Sequence, residues 1–165
     1  MLASLQEVKT YLEISDTSQD EKINLLLQAA DEYVKKACGR QFEYGTYTEK
    51  LRFYDGIGYL NETPIEAINS VKDLNGNSYT VSYIVADSGV VVLEADFDSM
   101  AMIEYVGGYQ TIPNDLKLAV IRIVEYLMAS TEGVKTINLE GITAGFEPFT
   151  KYVSDVIEKY KGLMI

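Results

Sequence analysis

The spacing of apolar residues changes twice along this chain, and no other feature constrains the fold as much. Before residue 42 they recur every three or four positions, over 42–109 they alternate, and from 113 onward the helical spacing returns. A repeat of 3.6 keeps one face of a helix apolar, while a repeat of two does the same for a strand. The expected fold class is therefore α+β, mainly a helical bundle of about four helices with a β-rich insertion between the second and third helices. With 165 residues, 47% of them apolar and 24% charged, the chain can bury a core without disulfide or metal staples and is read as a single domain.

Ser4-Leu5-Gln6-Glu7 has the S-x-x-E form of a capping box and predicts a short helix over 5–12 with Leu5, Val8 and Leu12 on one face. Ser18-Gln19-Asp20-Glu21 repeats the form before a longer helix whose Ile23, Leu26, Leu27, Ala30, Val34 and Ala37 share a face, with Gly39 placed as a left-handed cap. Cys38, the single cysteine, excludes an internal disulfide and is expected as a small buried hydrophobe rather than a reactive thiol.

In the middle region Tyr47, Glu49, Leu51 and Phe53 alternate with polar partners, and Asp55-Gly56-Ile57-Gly58 reads as a turn. A second strand is expected over 64–71, and Asn75-Gly76 is a hairpin signal because both residues tolerate positive φ. The returning strand is placed at 79–85, a short buried strand at 90–93, and a last strand at 100–106 before Gly107-Gly108. Pro113 suits a first helical turn, and Leu116, Ala119, Val120, Ile123, Val124 and Leu127 follow at helical spacing. Gly133 closes that helix, 134–147 is expected as a loop or mobile arm, and a final helix over 148–161 carries Phe149, Tyr152, Val153, Val156, Ile157 and Tyr160. Its apolar face has two available uses, docking on another subunit or folding back on its own core.

Little here can do chemistry. The chain has no histidine, which removes the commonest general base, every Ser-His and Cys-His pair and nearly all zinc sites. Glu94, Asp96 and Asp98 could offer three oxygens to a hard cation, but they lack the glycine and the terminal Glu of a calcium loop, so a solvated turn is expected and no metal. Gly56-Ile57-Gly58 and Gly107-Gly108 lack the spacing of a phosphate cradle and read as turn glycines, so no cofactor is expected. A net charge of −11 argues against nucleic acid as a bound ligand, since phosphate neutralisation needs clustered Lys and Arg; the same acidity simply aids solubility. No apolar run is long enough for a membrane helix, and the start lacks the form of a signal peptide, so synthesis in the cytoplasm is expected and no membrane partner. Thirteen tyrosines without a tryptophan suit interfaces, although tyrosine is also an ordinary strand residue.

Taken in order, several motifs make the chain resemble the head-to-tail connector (adaptor) proteins of tailed bacteriophages. They are Leu5-Gln6-Glu7-Val8-Lys9-Thr10-Tyr11-Leu12 with Ile14, then Ala29-Ala30 and Cys38-Gly39-Arg40-Gln41-Phe42, then Thr63-Pro64-Ile65 with Ile68 and Val71. Above all they include Ile103-Glu104-Tyr105-Val106-Gly107-Gly108-Tyr109 followed by Ile112-Pro113-Asn114-Asp115-Leu116-Lys117. The resemblance implies a connector domain over 1–165, with amino-terminal helices (1–41), a β-rich portion (42–109), a core helix (110–133), and an arm with the last helix (134–165). It implies a non-enzymatic subunit of a virion neck, made in the bacterial host cytoplasm. Copies would form a ring, commonly a dodecamer, that joins the capsid portal to the next neck or tail-completion protein and passes DNA through its lumen without specific binding. Since the carboxy-terminal segment of such proteins tends to reach the portal protein, the resemblance assigns that contact to Tyr152, Val156, Tyr160 and Lys161. The segment 134–147 matches no pattern of the family. The reading kept beside this one is a monomeric peptide- or ligand-binding module built on the tyrosine-rich sheet, with a carboxylate-dependent hydrolase behind it.

Overall fold

In the computed structural model, which describes residues 1–131 and 151–162, helical and strand-forming chain fall into separate units. One comprises Met1–Gly39 with Ile112–Lys161, the other Arg40–Thr111. The described residues hold four helices and two three-stranded antiparallel sheets, an α+β composition. The expected arm over 134–147, Gly133, Pro148 and Phe149 lie outside the described residues.

In the helical unit, α1 (Leu5–Tyr11) begins at the capping box: Glu7 N–H donates to Ser4 Oγ at 3.2 Å and Ser4 N–H donates to Glu7 Oε2 at 2.8 Å. Two otherwise orphaned backbone donors are thereby satisfied. The second S-x-x-E motif does not act this way. Asp16 Oδ1 accepts from the Ser18 N–H at 2.8 Å and from its hydroxyl, and α2 (Asp20–Cys38) starts at Gln19 without a side-chain cap. Asp16 reaches the Ser18 donors first because an Asx turn spans only two residues. At its other end α2 stops at Gly39, whose φ of 69° is the expected left-handed cap. Helix α3 is Asn114–Thr131, and α4 runs over 151–160. Val8, Ile23, Leu27, Ala30, Val34 and Cys38 are fully buried, as are Leu116, Ala119, Val120 and Val124. Each large aliphatic side chain among them contributes roughly 1.5–3 kcal/mol. Ion pairs tie the elements at their margins, Lys9 to Asp20 at 2.6 Å and Lys117 to Glu7 at 2.7 Å.

In the β unit, β1 (Gly45–Arg52) pairs along its whole length with β6 (Met100–Gly107), which pairs on its other side with β3 (Ile65–Asp73). The second sheet sets β5 (Val90–Leu93) between β2 (Ile57–Tyr59) and β4 (Val81–Val85). Phe53, Val71, Ala101, Ile103 and Tyr105 share one core with Val91, Leu93 and Phe97.

The expected chain path of the β unit changes at three points. The turn at 55–58 is only Asp55-Gly56, both at positive φ, and Ile57 already begins β2. At the Asn75-Gly76 hairpin only Gly76 adopts positive φ, because a single left-handed residue closes the loop once Asp73 N–H bonds to the Asn77 carbonyl. The returning chain stays beside β3 only as far as Tyr79, whose N–H donates to the Val71 carbonyl at 3.0 Å, and then crosses to the second sheet as β4.

Candidate assembly surfaces

The four residues singled out in the last helix are placed differently from one another. Val156 and Tyr160 are buried within the helical unit, Tyr152 is half-buried, and Lys161 is exposed beside Glu158 at 3.8 Å. Their anchor is the start of α3. Asp115 accepts the Tyr160 hydroxyl at 2.8 Å and the Lys159 ammonium at 2.7 Å, while its backbone carbonyl accepts the Tyr152 hydroxyl at 3.3 Å. Burial pushes the Asp115 carboxyl up, but these donors and the Leu116 N–H outweigh it and hold the group below its ordinary value. The same contact raises the Lys159 ammonium to about 12.

On the outer side of these helices lies an apolar groove of about 580 Å3, lined by Tyr33 and Ala37 of α2, Ile123 and Tyr126 of α3, and Val153 and Ile157 of α4. Tyr33 is 57% exposed and Tyr126 42%. A groove of this size and composition suits an apolar protein side chain better than a charged metabolite.

The second sheet presents another apolar surface. Ile57 lies opposite Val92 and Val92 opposite Tyr83; Tyr59 lies opposite Val90 and Val90 opposite Val85. Cross-strand partners share a face, so these six side chains form two rows across three strands, and none carries a charge. Ile57, Tyr59, Tyr83 and Val85 are exposed, and Val90 and Val92 are half-buried. The run at 90–93 was expected to be buried throughout; only Val91 and Leu93 are, because the sheet has a core on one side alone.

The residues weighed for chemistry are occupied structurally. Glu94, Asp96 and Asp98 are exposed around the inward-pointing Phe97, and Asp98 Oδ1 accepts the Asp55 N–H at 3.1 Å. Among the described residues no three Cys, Asp or Glu side chains converge as a metal site. A Cβ on Gly107 would stand 2.1 Å from the Glu62 carbonyl oxygen, and one on Gly108 would stand 2.2 Å from that of Glu43. Backbone approach, not anion binding, therefore requires both glycines. Cys38 is buried, with its Sγ 3.7 Å from the Ile157 carbonyl oxygen.

Sequence reasoning missed a polar cluster centred on the buried Tyr105 and Glu62. The Tyr105 hydroxyl donates to Glu49 and accepts the Glu62 N–H at 3.0 Å, while the Glu62 carboxylate accepts the Gln41 N–H at 2.8 Å. Burial pushes Glu62 up, and the Gln41 and Phe42 N–H groups offset only part of that. Nothing in the spacing of 41, 49, 62 and 105 signals their meeting. The apolar sheet face did have a signal, the alternation of Ile57 with Tyr59, Tyr83 with Val85 and Val90 with Val92.

A family model described as head completion protein matches residues 1–163. No curated protein matches the chain. Among solved structures, it is similar to a chain in the neck of an empty GTA particle computed with C6 symmetry, with a TM-score of 0.65 and 13% identity over 99% of this chain and 91% of the other. It is also similar to a chain in the neck of a native GTA particle computed with C12 symmetry, with a TM-score of 0.59 and 14% identity over 98% and 89%. A third match, in the virion of a native gene transfer agent (GTA) particle, has a TM-score of 0.57 and 15% identity over 99% and 91%.

Proposed function

The chain belongs to the head completion protein family, and from that premise we propose that it is a non-enzymatic structural subunit of a phage neck. Copies close into a ring, commonly of twelve, that joins the capsid portal to the next neck or tail-completion protein and extends the channel through which DNA passes. Family membership carries this reading. It is supported by a fold shared, across nearly the whole chain, with subunits of particle necks computed with C6 and C12 symmetry. We read the chain as one connector domain, a helical bundle with the β unit inserted. Its mechanism is geometric: a cyclic head-to-tail interface fixes the ring, and a net charge of −11 is compatible with a conduit that passes DNA without gripping its phosphates.

For the portal contact we propose α4 and the groove beside it. Tyr152 near the start of α4 is half-buried and Lys161 just past its end is exposed, while Val156 and Tyr160 hold the helix to its unit. The test mixes the purified chain with portal particles, images the product and measures co-sedimentation for the wild type and for Lys161→Glu. Rings seated on the portal are expected, with binding weakened several-fold in the variant. A chain that stays monomeric and ignores portal particles, yet binds a peptide or metabolite, would overturn the connector reading.

A further inference from the structure

An asparagine is chemically labile where its side-chain amide is unheld, its surroundings are open and a glycine follows it. Asn75-Gly76 is the single Asn-Gly pair of the chain. We propose that Asn75 is a site of spontaneous covalent modification, in which the Gly76 backbone nitrogen displaces its side-chain amide and leaves aspartate and isoaspartate in the loop after β3.

The reaction needs only water. The Gly76 nitrogen attacks Asn75 Cγ, the new N–Cγ bond closes a five-membered succinimide, and Nδ2 departs as ammonia with the proton that the Gly76 nitrogen gives up. Water then opens the ring at Cγ, giving aspartate, or at the main-chain carbonyl carbon, giving isoaspartate. Nothing is oxidised or reduced. Glycine favours the attack because no Cβ stands beside the nitrogen.

The structure singles out this asparagine. Residues 74–78 are exposed, and a carbon added at Gly76 would meet nothing within 4 Å, so base and water reach the pair. The Asn75 side-chain amide has no hydrogen-bond partner among the described residues, whereas those of Asn61, Asn69 and Asn77 donate to Glu49 at 3.4 Å, Glu104 at 3.2 Å and Asp73 at 2.7 Å. Asn24 and Asn114 lie in α2 and α3, and the side chains of Leu25 and Asp115 obstruct the nitrogen that follows each. Gly76 N–H donates to the Asp73 carbonyl at 3.1 Å, and a bond of this kind in an exposed loop opens locally at little cost.

The product disturbs a defined network. The Asp73 carboxylate accepts the Asn75 N–H at 2.8 Å and the Asn77 N–H at 2.9 Å, and conversion sets a second carboxylate beside it. Isoaspartate also adds one carbon to the backbone of a loop closed by the bond from Asp73 N–H to the Asn77 carbonyl, so that closure loosens. In a neck subunit, which a finished particle cannot replace, the change accumulates with age; the chemistry itself does not depend on that role.

The experiment holds the full chain in mildly alkaline buffer for several weeks, with circular dichroism confirming that it stays folded. Samples are digested at acidic pH and their peptides separated and weighed. The peptide carrying Asn75 is expected to gain one mass unit and to split into two products, with isoaspartate in excess. Its conversion should run at least about tenfold faster than that of any other asparagine among the described residues, a barrier lower by about 1.4 kcal/mol. Gly76→Ala should slow the conversion several-fold, and Asn75→Gln should abolish it. Survival of Asn75 while a free peptide of residues 73–79 converts fully would overturn the proposal, as would earlier conversion of Asn77. Aspartate without isoaspartate would also overturn it, because direct hydrolysis bypasses the Gly76 nitrogen.

Discussion

Where α4 meets α3 in the helical unit, the ties are side chains: Lys159, Tyr160 and Tyr152 converge on Asp115, above a small apolar face of Val153 and Val156. Where the β unit closes, side chains such as Glu62 also contribute, but the closest ties are backbone. Gly108 N–H donates to the Glu62 carbonyl at 3.1 Å and to the Pro64 carbonyl at 3.0 Å, and Tyr109 N–H donates to the Phe42 carbonyl at 2.7 Å, with no room left for a Cβ. Side-chain ties can be removed one at a time and leave the rest of a unit packed. Close backbone approach cannot, because the Glu62 carbonyl that would have to yield is itself held by the Gly108 N–H, and the Glu62 N–H by the Tyr105 hydroxyl. The helical junction should therefore be adjustable, and the β unit should stand or fall as a whole.

The largest expected effect tests the second half of that contrast. Gly107→Ala sets a methyl 2.1 Å from the Glu62 carbonyl oxygen, and overpacking against backbone should cost at least ~3 kcal/mol. Gly76→Ala is the control, since its φ is 89° but nothing lies within 4 Å of the added carbon; strain alone should cost about 1–2 kcal/mol. Urea denaturation of both variants measures the difference. Equal costs would mean that the β closure yields as easily as an exposed turn, and the contrast between the units would fail.

Acid should move the two units in opposite directions. Asp115 has its carboxyl held below 3.8 by the Lys159, Tyr160 and Leu116 donors against the opposing effect of burial. A depressed carboxyl stabilises fully above its unfolded value, and that contribution is lost as pH falls through the lower folded one. Lys159 is raised from 10.5 to about 12, so its contribution is complete below 10.5 and is lost as pH rises through about 12. Glu62 has the opposite sign to Asp115: burial raises it above 4.5, so its contribution is complete below 4.5 and is lost as pH rises through the folded value. Amide hydrogen exchange should therefore show protection of 151–160 weakening in acid, with Asp115→Asn losing about 1 kcal/mol at neutral pH. Glu62→Gln should flatten the pH response of the β strands alone. If Asp115→Asn loosened both units equally, the side-chain junction would not be separable from the rest of the fold.

How much of this the sequence discloses depends on the range of the interaction. Local signals were legible: the Ser4 capping box, the Gly39 cap, the helical faces of 23–34 and 116–127, and the alternation in β1 and β6 all depend on residues within about two turns of one another. The sheet assignment of 79–85 was not, since nothing in those seven residues records that the chain leaves β3 at Tyr79 for a partner at 90–93. Nor was the reason for Gly107-Gly108, which read as turn residues although their constraint comes from carbonyls at Glu62 and Glu43. The candidate surfaces divide likewise. The apolar rows of the second sheet were written in the alternation of Ile57, Tyr59, Tyr83 and Val85, but which side faced out depended on the partner sheet. For α4 the sequence left docking and folding back open, and the structure turns Val156 and Tyr160 inward while Lys161 stays outside.

Two motifs of the same form in the helical unit supply the smallest and most discriminating prediction. Ser4-Leu5-Gln6-Glu7 and Ser18-Gln19-Asp20-Glu21 both read S-x-x-E, yet Ser4 Oγ accepts the Glu7 N–H at 3.2 Å whereas the Ser18 N–H and hydroxyl are directed to Asp16. Ser4→Ala removes a cap and should cost about 1 kcal/mol. Ser18→Ala removes a turn contact outside α2 and should cost less than ~0.5 kcal/mol, as exposed substitutions generally do. Thermal melts of the two variants rank them directly. A larger loss from Ser18→Ala would place the true start of α2 a residue earlier, at Ser18, and would make the Asp16 turn part of the cap. The expected order instead shows why the motif alone is insufficient: an aspartate two residues upstream competes for the same serine, and the shorter loop wins.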